Sequence, residues 1–271
     1  MSRNANRVKQ NSENTTPQPE QNLAFTLPTT HVSLPSEGKF YPEEHSLHGC
    51  DTIEVKQMTT REEEILTSAN LLKKGLMVDR LIQSVLVDKS IEPKSILLGD
   101  KNAILVALRV DAYGPEYEVE INCPNCFEKG SHQINLESLG HKENETEHEF
   151  TARGTISLVL PRTKATVEIR PLDGYDEKYI SEVNTKAKKY GIERGISTSL
   201  ERTIVSVNGD EEESTISAFV ANLPAFDSKY IRKVYNKINP DMDMSFDFYC
   251  KSCNHSEVSE VPVTANFFWS D

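Results

Sequence analysis

Apolar positions are nearly absent from the start of the chain and become periodic only later. Within residues 1–22 only Met1, Ala5 and Val8 are apolar; the rest are polar, proline or charged. Such a stretch cannot bury enough surface to offset its ordering entropy. A disordered arm is expected over residues 1–25, with a peptide that orders on a partner as the alternative. Leu34–Tyr41 reads as an extended stretch punctuated by turns. Thr52–Gln57 alternates like a strand. Thr59 and Glu62 form the T-x-x-E pattern of a capping box, which predicts a helix running to about Lys74 and stopping at Gly75. A second helix is predicted over roughly residues 78–87, and Asp100 is read as the cap of a third, Lys101–Tyr113. A strand at Tyr117–Asn122 leads into Cys123-Pro124-Asn125-Cys126, and Gln133–Leu136 is read as the return strand.

The pattern then recurs. Thr166–Arg170 (TVEIR) echoes Thr52–Lys56 (TIEVK). A helix is predicted from about Asp173 to Lys189; it ends at Lys188-Lys189-Tyr190-Gly191, as the earlier one ends at Lys73-Lys74-Gly75. Arg80–Val85 and Arg202–Val207 share R-x-I-x-S-V. Asp100 stands 23 positions before Cys123, and Asp227 stands 23 before Cys250. In each case the Asp is read as opening a helix that is followed by a strand and a C-x-x-C pair. A duplicated α+β chain is therefore expected. Its first unit spans residues 26–141, a polar linker 142–150, and the second unit 151–271. Chance similarity between common strand–helix patterns is the alternative.

Charge and composition narrow the function. The formal net charge is −12, which lacks the electrostatic footprint of a general nucleic-acid or anionic-membrane binder, although it leaves room for a local basic face. The best apolar run, Ile104–Leu108, is far below the ~18 residues of a spanning helix. The N-terminus has no apolar core of the kind a signal peptide needs, so the chain is expected to be made in a cytosol.

Five cysteines without a secretion signal argue against a disulfide framework. Cys123, Cys126, Cys250 and Cys253 form two C-x-x-C pairs, the ligand number of a tetrahedral structural zinc site. A compact ribbon separates its pairs by about 15–20 residues. Here 123 residues intervene between Cys126 and Cys250. The repeat resolves this: each unit contributes one knuckle, and zinc clamps the two. A redox pair, which wants a helix N-terminus, and free thiols are the alternatives. His255 lies near the second pair, but four cysteines suffice. Cys50, with His45 and His48, reads as a loop with one buried thiol.

Phosphate-binding, dinucleotide, zinc-protease and nucleophile-elbow motifs are all missing, so no enzyme activity is expected. Glu211–Glu213 reads as a solvated turn, and Lys186, Lys188 and Lys189 as a last helical turn that suits the dipole. The aromatic end, Phe267-Phe268-Trp269, is unusual for a chain terminus. It reads either as a hook packed over the ribbon or as an anchor for a neighbouring subunit.

Four segments, in order, resemble the T4-like bacteriophage baseplate hub and hub-assembly family. They are Leu34–Tyr41 (LPSEGKFY), Met58–Leu66 (MTTREEEIL), the run from Gly99-Asp100 through Leu108-Arg109 and Tyr113-Gly114 to Cys123–Cys126, and the closing Cys250–Cys253 with Phe267–Trp269. The resemblance implies a component of a contractile-tailed phage, in a virion assembled in the host cytoplasm. It implies a role in the central hub, oligomeric within the baseplate, with other baseplate and hub proteins as partners. It carries over no catalytic residue. A transient, chaperone-like assembly factor absent from the mature virion is the alternative. A zinc-ribbon adaptor of nucleic-acid machinery is a third reading, against which the acidic balance argues. The expectation is thus an α+β fold of two related strand–helix–strand units bridged by a four-cysteine zinc ribbon, after a disordered arm.

Overall fold

Four small antiparallel sheets carry the frame, and helices fill the space between them. A computed structural model describes residues 27–143, 150–151, 153–261 and 267–268. The expected arm, most of the expected linker, and Trp269 lie outside these residues.

Strand β1 (Thr29–Ser33) pairs with β2 (Thr52–Lys56), with Val32 opposite Ile53. Both side chains are buried, as alternation requires. The Thr59 capping box opens helix α1 (Thr60–Thr67) as expected: Thr59 N–H and Oγ1–H both donate to Glu62 Oε2. The predicted single helix is split, however. Ser68 is extended, and its hydroxyl accepts from Leu71 N–H to start α2 (Ala69–Lys74). Gly75 then ends that helix in the left-handed conformation, φ +64°. Helix α3 (Met77–Val85) follows, and Leu86 bridges Val55 as a rudimentary third strand.

Helix α4 (Leu98–Tyr113) is the most buried element; Ile104 and Leu108 are both fully enclosed. It leads to the hairpin β3 (Glu116–Asn122) and β4 (Lys129–Asn135). The return strand starts four residues earlier than predicted, because pairing with β3 carries Gly130 and Ser131 despite their weak strand preference. The second half begins with β5 (Ile156–Val159), β6 (Thr166–Ile169) and, after α5 (Gly174–Lys188) and α6 (Gly195–Thr203), β7 (Ile204–Val207). These three strands form one sheet. Helices α7 (Glu213–Ala221) and α8 (Ala225–Ile238) precede the last hairpin, β8 (Ser245–Tyr249) and β9 (Ser256–Glu260).

Two sequence expectations need correction. Asp100 and Asp227 do not cap helices; the caps are Leu97 and Pro224. Each Asp is instead the third residue of its helix, fully buried, and reaches back to the loop after the first strand of its half. Asp100 accepts from Ser36 N–H (3.0 Å), Ser36 Oγ–H (2.7 Å) and Tyr41 O–H (2.7 Å). Asp227 accepts from Arg162 N–H (2.9 Å), Thr163 N–H (2.8 Å) and Thr163 Oγ1–H (2.9 Å). The shared R-x-I-x-S-V also falls out of step. Arg80–Val85 lies inside α3, whereas Arg202–Val207 straddles the end of α6 and β7. The TIEVK and TVEIR segments do sit alike: Ser33 faces Thr52, and Val159 faces Thr166.

One apolar core runs through both halves, from Val32 to Phe268. The halves are stitched along α4. Leu98 N–H donates to Leu172 O (3.1 Å), and Asn102 Nδ2–H to Asp241 Oδ1 (3.0 Å). Gly99 packs directly on the Pro240 carbonyl, where a side chain would collide with backbone. Phe40 and Phe150 meet edge to face, their centroids 4.6 Å apart. The cysteine hairpins carry a small apolar cluster of their own, Cys123, Phe248 and Cys250, which Phe246 links to this core.

Candidate metal centre

Each C-x-x-C pair occupies the tip of one hairpin, held by the same local bonds. After β3, Cys123 N–H donates to Glu128 O (2.8 Å) and Phe127 N–H to Cys123 O (2.8 Å). After β8, Cys250 N–H donates to His255 O (2.8 Å) and Asn254 N–H to Cys250 O (2.9 Å). Both knuckles need one left-handed residue to turn the chain: Phe127 at φ +62° and Asn254 at φ +57°. Asn tolerates that conformation; a bulky aromatic does not.

The two tips meet. All four Sγ atoms lie within 4.8 Å of one another. Cys123 Sγ is 3.6 Å from Cys253 Sγ, and Cys126 Sγ is 3.6 Å from Cys250 Sγ. A disulfide would need about 2.05 Å; these are free thiols. A tetrahedron with metal–sulfur bonds of about 2.3 Å has edges near ~3.8 Å, so the donor set fits a thiolate-bound metal such as zinc. Cys123 and Cys250 are buried, Cys253 is half-buried and Cys126 faces solvent.

The surroundings favour thiolate at one corner. Asn125 Nδ2–H donates to Cys253 Sγ (3.5 Å), and with the backbone N–H of His255 it holds the Cys253 thiol down at about 6. Cys126 receives help from the Glu128 N–H, but desolvation and the three other thiols push it up to about 12. Such a set sheds its remaining protons only when a cation arrives. Beneath it, Phe248 packs with Cys123 and Cys250, and the His132 ring lies 4.7 Å from Phe248.

His255, Cys50, His45 and His48 are engaged elsewhere. His255 Nε2 lies 3.3 Å from Glu257, outside the sulfur cluster. Cys50 Sγ–H donates to Ser46 O (3.6 Å), His45 Nε2 pairs with Ser95 Oγ (2.8 Å) and His48 Nδ1 with Tyr41 O (2.7 Å). The Cys50 thiol is half-buried rather than buried as expected, and the three groups form no metal-ligand cluster among the described residues.

The aromatic end is seated within the chain. Phe267 and Phe268 are buried, with Phe267 edge-on to Tyr117 at 5.2 Å. Arg109, itself buried on α4, holds the tail: Nε–H donates to Phe267 O (3.0 Å), and its terminal nitrogens donate to Gly114 O (2.9 Å) and Glu116 O (3.2 Å). A partner contact by Phe267 or Phe268 requires the tail to leave this seat. Sequence reasoning passed over this clamp; the available signal was an arginine directly after the most apolar run of the chain.

A family model described as T4 bacteriophage base plate protein matches residues 27–269. No curated protein and no solved structure matches the chain.

Proposed function

Because the chain belongs to the T4 bacteriophage base plate protein family, and is thus a phage baseplate protein of the virion with other phage proteins as partners, we propose that it is a structural subunit of the central hub. The family is structural and typically non-enzymatic. No helix among the described residues is long and apolar enough to cross a membrane. The observation that carries the reading is the convergence of four cysteines from distant parts of the chain. The sharpest chemistry in the molecule fixes its shape and leaves no open position for a substrate.

The metal in this reading is zinc, held by Cys123, Cys126, Cys250 and Cys253. Zinc, when bound, supplies a closed tetrahedral thiolate link without redox chemistry. The chain's own residues do the positioning. The knuckle hydrogen bonds aim the sulfurs, and Asn125 orients Cys253.

The chain is read as two related units. Asp100 and Asp227, Cys123 and Cys250, Cys126 and Cys253, and Phe127 and Asn254 all stand 127 positions apart, each pair in the same local role. The aromatic end is assigned to partner binding through Trp269, with Phe267 and Phe268 as its intramolecular seat. Trp269→Ala is then expected to weaken incorporation into baseplates while leaving the melting temperature of the isolated chain unchanged. Unfolding of that variant would make the tail purely structural.

Hub location is tested by quantitative mass spectrometry of purified particles split into hub and wedge fractions. Stoichiometric copies in the hub fraction are expected. Recovery with the wedges, or in infected-cell lysate alone, overturns the assignment; the latter outcome identifies a transient assembly factor.

A further inference from the structure

The α5–α6 hairpin is packed at its base, with Ser217 Oγ–H on α7 donating to Glu201 on α6 (3.2 Å), and exposed at its tip. No residue from 177 to 197 is fully buried, and the far end, residues 188–196, is exposed throughout. The base is firmly set: Asp176 pairs with Arg170 (2.7 Å) and Arg202 (2.7 Å), and Arg170 N–H donates to Thr203 O (3.0 Å). The far end is both apolar and basic. Tyr190 is 82% exposed, Ile192 53% and Ile196 56%. Residues 186–194 contain four basic residues and one acidic, a net +3 within a chain of net −12. Lys186, Lys188 and Lys189 form no salt bridge among the described residues. The hairpin also holds the buried side-chain oxygens that lack hydrogen-bond partners among the described residues, Asn184 Oδ1 and Thr198 Oγ1.

The complementary surface lies on the same molecule. The hairpin leaves the three-stranded sheet where Arg170 meets Thr203. At the other end of that sheet, Asn208 N–H donates to Thr166 O (2.7 Å), and the turn Asn208–Glu213 presents a shallow, open surface. That turn carries four acidic residues, of which Glu211 is paired with Arg153 and Glu212 and Glu213 form no salt bridge among the described residues. Val159, opposite Thr166 in the sheet, is 62% exposed beside it. A basic apolar tip is thus rooted at one end of a sheet, and an acidic turn with an apolar neighbour stands at the other.

We propose that the tip of the α5–α6 hairpin docks into the acidic turn of a second copy of this chain, head to tail. Lys186, Lys188 and Lys189 face Glu212 and Glu213, while Tyr190 and Ile192 cover Val159. Donor and acceptor are different surfaces, so the contact is heterologous and propagates into a ring or an open array. The small tip sets this contact at the weak, salt-sensitive end of protein association, where many copies held in one assembly reinforce one another. The inference extends the structural reading but does not depend on hub location or on the metal.

The test is sedimentation of the purified full chain across the micromolar range at low and high salt. Concentration-dependent association is expected at low salt and its loss at high salt. K186E/K188E/K189E and E212K/E213K are each expected to weaken it by at least about tenfold. Mixing the two variants restores association, because the reversed charges face each other again. Thermal unfolding of each variant alone checks that the fold survives. A wild-type chain that stays monomeric at every concentration overturns the proposal, as does association indifferent to both variants. Retention of duplex DNA by the wild type but not the lysine variant, without self-association, also overturns it. None of these outcomes bears on hub location, which the particle fractions decide separately.

Discussion

Asp100 and Asp227 occupy the same place in their helices, yet their pKa values shift in opposite directions. Burial raises the pKa of Asp100 by more than its bonds from Ser36 and Tyr41 lower it. At Asp227 burial also pushes upward, but the Thr163 and Arg162 N–H groups, with the Thr163 hydroxyl, outweigh it and the pKa falls. Stability from Asp227 is therefore present above the ordinary aspartate value of 3.8 and is lost as pH falls through the lower folded value. For Asp100 the sign reverses: its contribution is present below 3.8 and lost as pH rises through the raised folded value. Denaturant unfolding of Asp227→Asn should show its largest deficit at neutral pH, closing in acid. The deficit of Asp100→Asn should shrink as pH rises; parallel profiles for the two variants would refute the contrast. Phe127 offers a simpler test. It is 80% exposed and held at φ +62°, so Phe127→Asn should stabilise the chain by about 1 kcal/mol in thermal unfolding, with metal content unchanged. The cysteines were legible in the sequence because a C-x-x-C pair is a local chemical unit. The Asp100 latch was not, because its partner Ser36 lies 64 residues earlier and looks like any loop serine.

Elements were legible where local signals agreed. The capping box at Thr59 and the stop at Gly75 both appear in the structure. The break between them was missed because Ser68 acts as an internal start only by accepting from Leu71 N–H, which periodicity does not reveal. Strand β5 escaped notice since four residues give too short an alternation to stand out from a loop. R-x-I-x-S-V was a false guide: pattern identity does not carry pairing, and the segments fall in different elements. The joint between α4 and the Pro240 segment is equally silent in sequence. There Gly99→Ala would drive a methyl into the Pro240 carbonyl and the Asp241 backbone. A loss of about 1–3 kcal/mol is expected in denaturant unfolding, since backbone on both sides resists the shift. An unchanged midpoint would mean that this seam is looser than its geometry.

Across the whole molecule, the shared core and the sulfur cluster tie the same two halves together, and their contributions are separable. Cys126→Ser should lower bound zinc well below one ion per chain and depress the melting temperature by about 10 °C, leaving the core partly assembled. Full metal content with an unchanged melting temperature would refute a shared site. Order of synthesis adds a consequence. The second cysteine pair follows the first by 127 positions. At translation rates of about 5–20 residues per second, that is a wait of roughly 6–25 s during which the ribosome has delivered only two of the four sulfurs. The site is therefore a late feature of the growing chain. A chain interrupted anywhere before Cys253 lacks the full ligand set, so the four sulfurs can meet only after nearly the whole chain has been made.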